Sequence, residues 1–205
     1  MDLDRYWPDW LIDHTRLRDQ LVDAYGSPDR GYHDLRHLAE VLARIDEILA
    51  ARDGGVDRVD RDAVVLAAWF HDAVYDELGN LEERSAALAE HVLAGTPAGR
   101  RTIAEVARLV RLTSDHQPAD DDLDGQVLCD ADLAILAADE PRYRSYVDGV
   151  RREYAHVADV DFRRGRAAVL RGLASKPTLF QTAYGREHWE PAARANLARE
   201  LEALA

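Results

Sequence analysis

The chain has a single cysteine, Cys129, in 205 residues. That excludes an intramolecular disulfide framework and fits a reducing compartment. Lysine is nearly absent as well: Lys176 stands alone among 26 basic residues. Arginine suits bidentate phosphate contacts, although the bias here is read as background composition. No apolar run approaches the roughly 20 residues needed to span a bilayer. Strand-like alternation, a Gly-rich phosphate loop and internal repeats are all missing. The opening Met1-Asp2-Leu3-Asp4-Arg5-Tyr6-Trp7 is acidic and aromatic and does not resemble a signal peptide. The expectation is a cytoplasmic protein without membrane association. A net charge of −13 argues against a nucleic-acid polymer as partner, because such binding relies on Lys and Arg to release counterions. A small phosphorylated substrate remains compatible with it, since a pocket can be locally positive.

What is present is helical periodicity over a hydrophobic content of 47%, ample for a core. Trp10, Leu11, His14, Leu17, Leu21 and Tyr25 form one stripe after Pro8, closed by Gly26-Ser27-Pro28. Leu38, Val41, Leu42, Ile45 and Leu49 form the next, with Asp53-Gly54-Gly55 as its stop. From about Asp62 to Asp76 the chain is apolar on nearly every side until His71, which predicts a central buried helix broken at Gly79-Asn80. Further helices are expected around Glu82–Leu93, Ile103–Thr113, Val127–Ala138, Glu140–Tyr154, Phe162–Leu173 and Pro191–Leu204. Asp120-Asp121-Asp122-Leu123-Asp124-Gly125 lacks the spacing of a calcium loop and reads as a solvated turn with an N-cap. The fold expected is an all-α orthogonal bundle of about eight to ten helices, in one domain over 1–205.

Chemistry concentrates where the apolar run Val64-Val65-Leu66-Ala67-Ala68-Trp69-Phe70 ends in His71-Asp72. A buried carboxylate is costly unless paired, hydrogen-bonded or bound to a metal. His37 lies upstream, near the start of its helix, and Asp130 and Asp132 lie downstream on another. Two imidazoles and two carboxylates from three helices suit a borderline or hard divalent ion: Mn, Fe, Co, Ni, Zn or Mg. Such an ion lowers the pKa of bound water toward about 7 and polarises a phosphoryl oxygen. Phosphate-ester hydrolysis is the chemistry this points to.

The order His37, His71-Asp72 and a distal Asp resembles the HD-domain superfamily of metal-dependent phosphohydrolases. The likeness extends to Tyr32-His33-(two residues)-Arg36-His37, Phe70-His71-Asp72-(two)-Tyr75-Asp76, Glu82-Glu83-(one)-Ser85-Ala86, Thr113-(two)-His116 and Asp130-Ala131-Asp132-Leu133. Glu153-Tyr154, Gly165-Arg166 and Asn196-Leu197 also fit. The set is similar to a bacterial branch described as predicted phosphohydrolases without an assigned substrate. The resemblance implies an HD-type bundle, with a metal-site core over about 30–140 and C-terminal helices 141–205 packed on it. It implies His37, His71, Asp72 and a distal Asp as metal ligands. Asp130, with its apolar approach, is slightly preferred, and Asp132 is kept as its neighbour.

The remaining residues carry two readings each. Asp76, four residues after Asp72, is a general base or a surface carboxylate, and Glu83 is catalytic or a helix-start acid favoured by the dipole. His33, four residues before His37, is a co-ligand, a substrate contact or a cap. Arg36 and His116 are substrate contacts or ordinary surface side chains. Cys129 is a small buried residue with no Cys-His arrangement for nucleophilic catalysis. The expected function is metal-dependent hydrolysis of a small phosphorylated metabolite, nucleotides included. A non-catalytic metal- and nucleotide-binding module is the alternative, followed by an iron-dependent oxygenase. Tyr143, Tyr146 and Tyr154 form an aromatic stripe for packing or for a homo-oligomer face.

Overall fold

The computed structural model describes residues 2–51 and 59–205. Asp53-Gly54-Gly55, the expected stop of the second helix, lies outside them. Among the described residues there are ten α-helices and no strand: α1 (Thr15–Tyr25), α2 (Leu35–Ala50), α3 (Arg61–Phe70), α4 (Leu81–Leu93), α5 (Arg100–Leu112), α6 (Leu123–Leu133), α7 (Glu140–Glu153), α8 (Asp159–Ser175), α9 (Ala183–His188) and α10 (Glu190–Leu204). Short 3-10 turns cover Asp4–Tyr6, Asp9–Leu11 and Ala134–Ala137. None of the described helices is long and apolar enough to cross a membrane.

α3 is the axis of the bundle. Asp60 caps its start by accepting from the Ala63 N–H at 3.0 Å. Every residue from Ala63 to Phe70 is buried, and α2, α5 and α6 pack around it. Each fully buried Val, Leu or Phe contributes about 1.5–3 kcal/mol, so this helix is held by tertiary packing rather than propensity. It ends sooner than its hydrophobicity suggests. The last helical residue is Phe70 and His71 is its C-cap; the polar pair that follows Phe70 meets partners on other segments. Asp72 to Asn80 are turn rather than helix.

Three local features aim side chains at the end of α3. Asp34 caps α2, accepting from Arg36 N at 2.9 Å and His37 N at 3.1 Å, which places His37 in the first turn. Asp122 caps α6 through Gly125 N at 3.0 Å, and α6 carries Asp132 in its last turn, where the helix dipole disfavours a carboxylate. The loop before α2 lies directly on α7: a Cβ on Gly31 would sit 2.1 Å from the Gly149 carbonyl oxygen, and one on Gly149 would sit 2.6 Å from that of Gly31. Only glycine at both positions allows this approach.

Candidate metal centre

His37 and His71 are buried, 2% and 1% exposed, and their Nε2 atoms lie 3.0 Å apart. Asp72 Oδ2 is 3.4 Å from His37 Nε2 and 3.1 Å from His71 Nε2. Asp132 Oδ1 closes the group at 3.2 Å from His37 Nε2 and 3.6 Å from His71 Nε2. Ligands about 2.1 Å from an ion lie about 3.0 Å apart at right angles and about 3.4 Å apart in a tetrahedron. The His37, His71 and Asp72 donors lie within 4.8 Å of one another and could hold a metal ion, with Asp132 Oδ1 next to both imidazoles. Two neutral imidazoles with two carboxylates balance one divalent cation.

The surroundings orient these donors. His71 Nδ1 is 2.8 Å from the Ala68 carbonyl oxygen, so Nδ1 carries the proton and Nε2 is free to ligate. The Tyr25 hydroxyl accepts from Asp72 N at 3.2 Å, and burial pushes its pKa up to about 12. His116 Nε2 donates to Asp132 Oδ2 at 2.8 Å and leaves Oδ1 toward the histidines. His116 does so from a left-handed backbone, φ 52°, a conformation costing about 1–2 kcal/mol in a non-glycine residue.

Charge interactions within the cluster oppose the cost of burying it. Burial works against both charged imidazoles. For His37 it is outweighed by hydrogen bonds that the ring donates to Asp132 and Asp72, and for His71 chiefly by the charge of Asp72, so both pKa values lie above the ordinary value. Burial likewise opposes ionisation of Asp72 and Asp132, but the nearby histidines hold both well below the usual carboxylate range.

Of the two carboxylates left open by the sequence, the geometry brings Asp132, not Asp130, to the histidines. Asp130 is fully buried and is occupied elsewhere. It accepts from Gln181 N, Thr182 N and Thr182 Oγ1, each at 2.7 Å, tying α6 to the start of α9. Burial outweighs these bonds and raises its pKa to about 6. Asp76 forms an exposed two-point pair with Arg84 at 2.6 and 2.7 Å. Glu83 is exposed and pairs with Arg111. Neither carboxylate is brought to the cluster. Arg36 is a surface residue bonded to Glu40 at 2.9 Å. The arginine facing the cluster is instead Arg142, which lines a cavity of about 50 Å³ with His37 and Asp132 and is held by Glu40 at 2.6–3.0 Å.

His33 stands beside the cluster, its ring 5.6 Å from that of His37, and its partner is one that spacing did not bring forward. Glu153, at the end of α7, accepts from the backbone N–H groups of Gly31, Tyr32 and His33 at 2.8–2.9 Å through Oε1. Its Oε2 accepts from His33 Nδ1 at 2.8 Å and the Tyr75 hydroxyl at 2.9 Å. Burial alone would raise its pKa, but these bonds, led by that from His33, hold it at about 2. Its signal in the chain is slight: a carboxylate 120 residues from His33 whose role exists only in three dimensions.

Asp132, His33 and His116 also lie on the wall of a much larger cavity, about 870 Å³, bounded by the end of α6, α7 and α8. One carboxylate of the candidate cluster, two further histidines and a ligand-sized space thus share one region. No family model, curated protein or solved structure matches this chain.

Proposed function

We propose that the protein is a metal-dependent phosphohydrolase acting on a small phosphorylated metabolite, in the manner of the HD-type enzymes its motifs resemble. The observation that carries this reading is that His37 and His71 Nε2 lie 3.0 Å apart and each is 3.1–3.6 Å from carboxylate oxygens of Asp72 and Asp132, beside a cavity that Asp132 itself lines. A divalent ion held by these four residues would polarise a phosphoryl oxygen and make water a nucleophile near neutral pH.

The chain's other groups divide the remaining work. His116 keeps Asp132 oriented through Oδ2. Glu153, ionised down to a pH of about 2, fixes the His33 proton on Nδ1 and leaves Nε2 to exchange a proton with a phosphate or leaving-group oxygen. Asp76 and Glu83, committed to surface ion pairs, are given no part in the reaction. Arg142 supplies positive charge at the small cavity next to Asp132.

The test is phosphate release by metal-stripped protein reloaded with Mn²⁺, Co²⁺, Zn²⁺ or Mg²⁺, against nucleotides, sugar phosphates and simple phosphate esters. Release that requires the ion and falls at least 100-fold in Asp132→Asn, with folding retained, is the expected result. Release that is indifferent to the ion or to Asp132 overturns it. A metal-loaded protein that releases nothing from any ester points to the binding module.

A further inference from the structure

The 870 Å³ cavity beside Asp132 is apolar over most of its wall, with Leu136, Val150, Tyr154, Phe162, Val169 and Leu173 among its lining residues. Val169 and Tyr154 remain 57% and 45% exposed, so apolar surface is left uncovered at its mouth. The cations along this wall are already engaged. Arg166 bonds Glu200 at 2.7 Å and the Tyr146 hydroxyl at 2.7 Å, and Lys176 Nζ caps the carbonyls of Asp115 and His116 at 3.2 Å. Neither is free to clamp a polyphosphate.

Two glycines on α8 keep the space open. Gly165 and Gly172 both line the cavity, and a Cβ at either would meet nothing within 4 Å. Glycine inside a helix costs about 0.5–1 kcal/mol relative to alanine, and no packing neighbour accounts for it here. The polar end of the cavity carries a separate mark. Tyr32, 5% exposed, lines the same wall, and its Oη is buried without a hydrogen-bond partner, which ordinarily calls for an explanation.

We infer that the substrate is a phosphate monoester with an apolar aliphatic or aromatic body, which lies along α8 between Gly165 and Gly172 while its phosphate reaches the ion site beside Asp132. The inference rests on the phosphohydrolase reading of the cluster. Tyr32 Oη donates to an oxygen at the polar end, and the glycines leave room for the body.

The experiment is calorimetric binding of ethyl, butyl, hexyl and octyl phosphate to the full chain loaded with Mn²⁺, comparing wild type with Gly172→Leu and Gly165→Leu. Both variants add helix propensity at unobstructed positions. A fully buried methylene is worth about a fourfold gain in affinity. Affinity therefore rises at least tenfold from butyl to hexyl phosphate in wild type. In one or both leucine variants that rise is lost, while affinity for Mn²⁺ and inorganic phosphate is unchanged. A series flat with chain length, or one that neither variant alters, overturns the inference. So does a change of oligomeric state in the leucine variants by light scattering, which would make the cleft an interface between copies. Chain-length-dependent binding without hydrolysis of any ester removes the hydrolase reading and keeps the cleft. Hydrolysis of sugar phosphates with a flat alkyl series does the reverse.

Discussion

Replacing Glu153 by Gln keeps the shape of the side chain and removes its charge. The native carboxylate accepts five hydrogen bonds, three from consecutive backbone N–H groups and two from His33 and Tyr75. A glutamine amide has one acceptor oxygen and an NH₂ group, so it can satisfy one of these sets while presenting donors to the other. Losing charge-assisted bonds at a buried site costs about 1.5–3 kcal/mol. The depressed pKa corresponds to a similar figure: a carboxyl held at about 2, against an ordinary 4.5, is worth about 3 kcal/mol at about 1.4 per unit. Because the folded-state pKa is depressed, that stability is fully present above 4.5 and is lost as pH falls toward 2. Guanidinium unfolding should show Glu153→Gln less stable than wild type by about 3 kcal/mol at pH 7, narrowing to about 1 kcal/mol at pH 3. Equal stability at pH 7, or a gap that does not narrow on acidification, would refute the role given to Glu153.

Three further outcomes follow from the same geometry. Asp130→Ala leaves the Gln181 and Thr182 donors unpaired in the core and should cost about 3 kcal/mol in denaturant unfolding, with Mn²⁺ affinity by calorimetry unchanged; a loss of metal would return Asp130 to the ligand set. Gly149→Ala drives a Cβ against the Gly31 carbonyl and should lower stability by about 1–3 kcal/mol or more, read as a fall in melting temperature; an unchanged melt would mean that the loop does not rest on α7. Mn²⁺ at about 100 times its Kd stabilises the native state by about 2.7 kcal/mol, a rise of about 5–10 °C for a chain of this size. Asp132→Asn should abolish most of that rise, and a wild-type melt indifferent to the ion would count against the site.

The helices were legible because their periodicity is local. Leu81–Leu93 and Glu140–Glu153 nearly coincide with the segments expected from apolar spacing and capping. Boundaries drifted where tertiary contacts decide them. α3 stops at Phe70 although the apolar pattern carries an expected helix to Asp76, since His71 and Asp72 find partners across the bundle. The segment read as one helix from Val127 to Ala138 tightens to 3-10 geometry after Leu133, and the stripe after Pro8 begins as a 3-10 turn before α1. Alpha-helix α9, six residues long, has too little periodicity to stand out.

At the site, His37, His71 and Asp72 carried a visible signal because His71-Asp72 interrupts a core helix. Choosing between Asp130 and Asp132 required knowing which side of α6 faces His37. Both sit in apolar surroundings, and only the Gln181–Thr182 turn, 51 and 52 residues away from Asp130, shows that Asp130 is already satisfied. Glu153-Tyr154 entered only as part of the resemblance, and its bonds to the Gly31–His33 loop were out of reach for the same reason. Asp76 and Glu83 are the converse: Asp76 follows Asp72 by four residues and Glu83 belongs to a motif of the resemblance, but Arg84 and Arg111 draw them into surface pairs.

The most direct measurement is anomalous diffraction at the metal edge from crystals of the full chain grown with Mn²⁺ or Zn²⁺. The account predicts a strong peak at bonding distance, about 2.0–2.2 Å, from His37 Nε2, His71 Nε2 and carboxylate oxygens of Asp72 and Asp132. A protein saturated with the ion whose peak lies elsewhere, or is bound by Asp130 in place of Asp132, would contradict it.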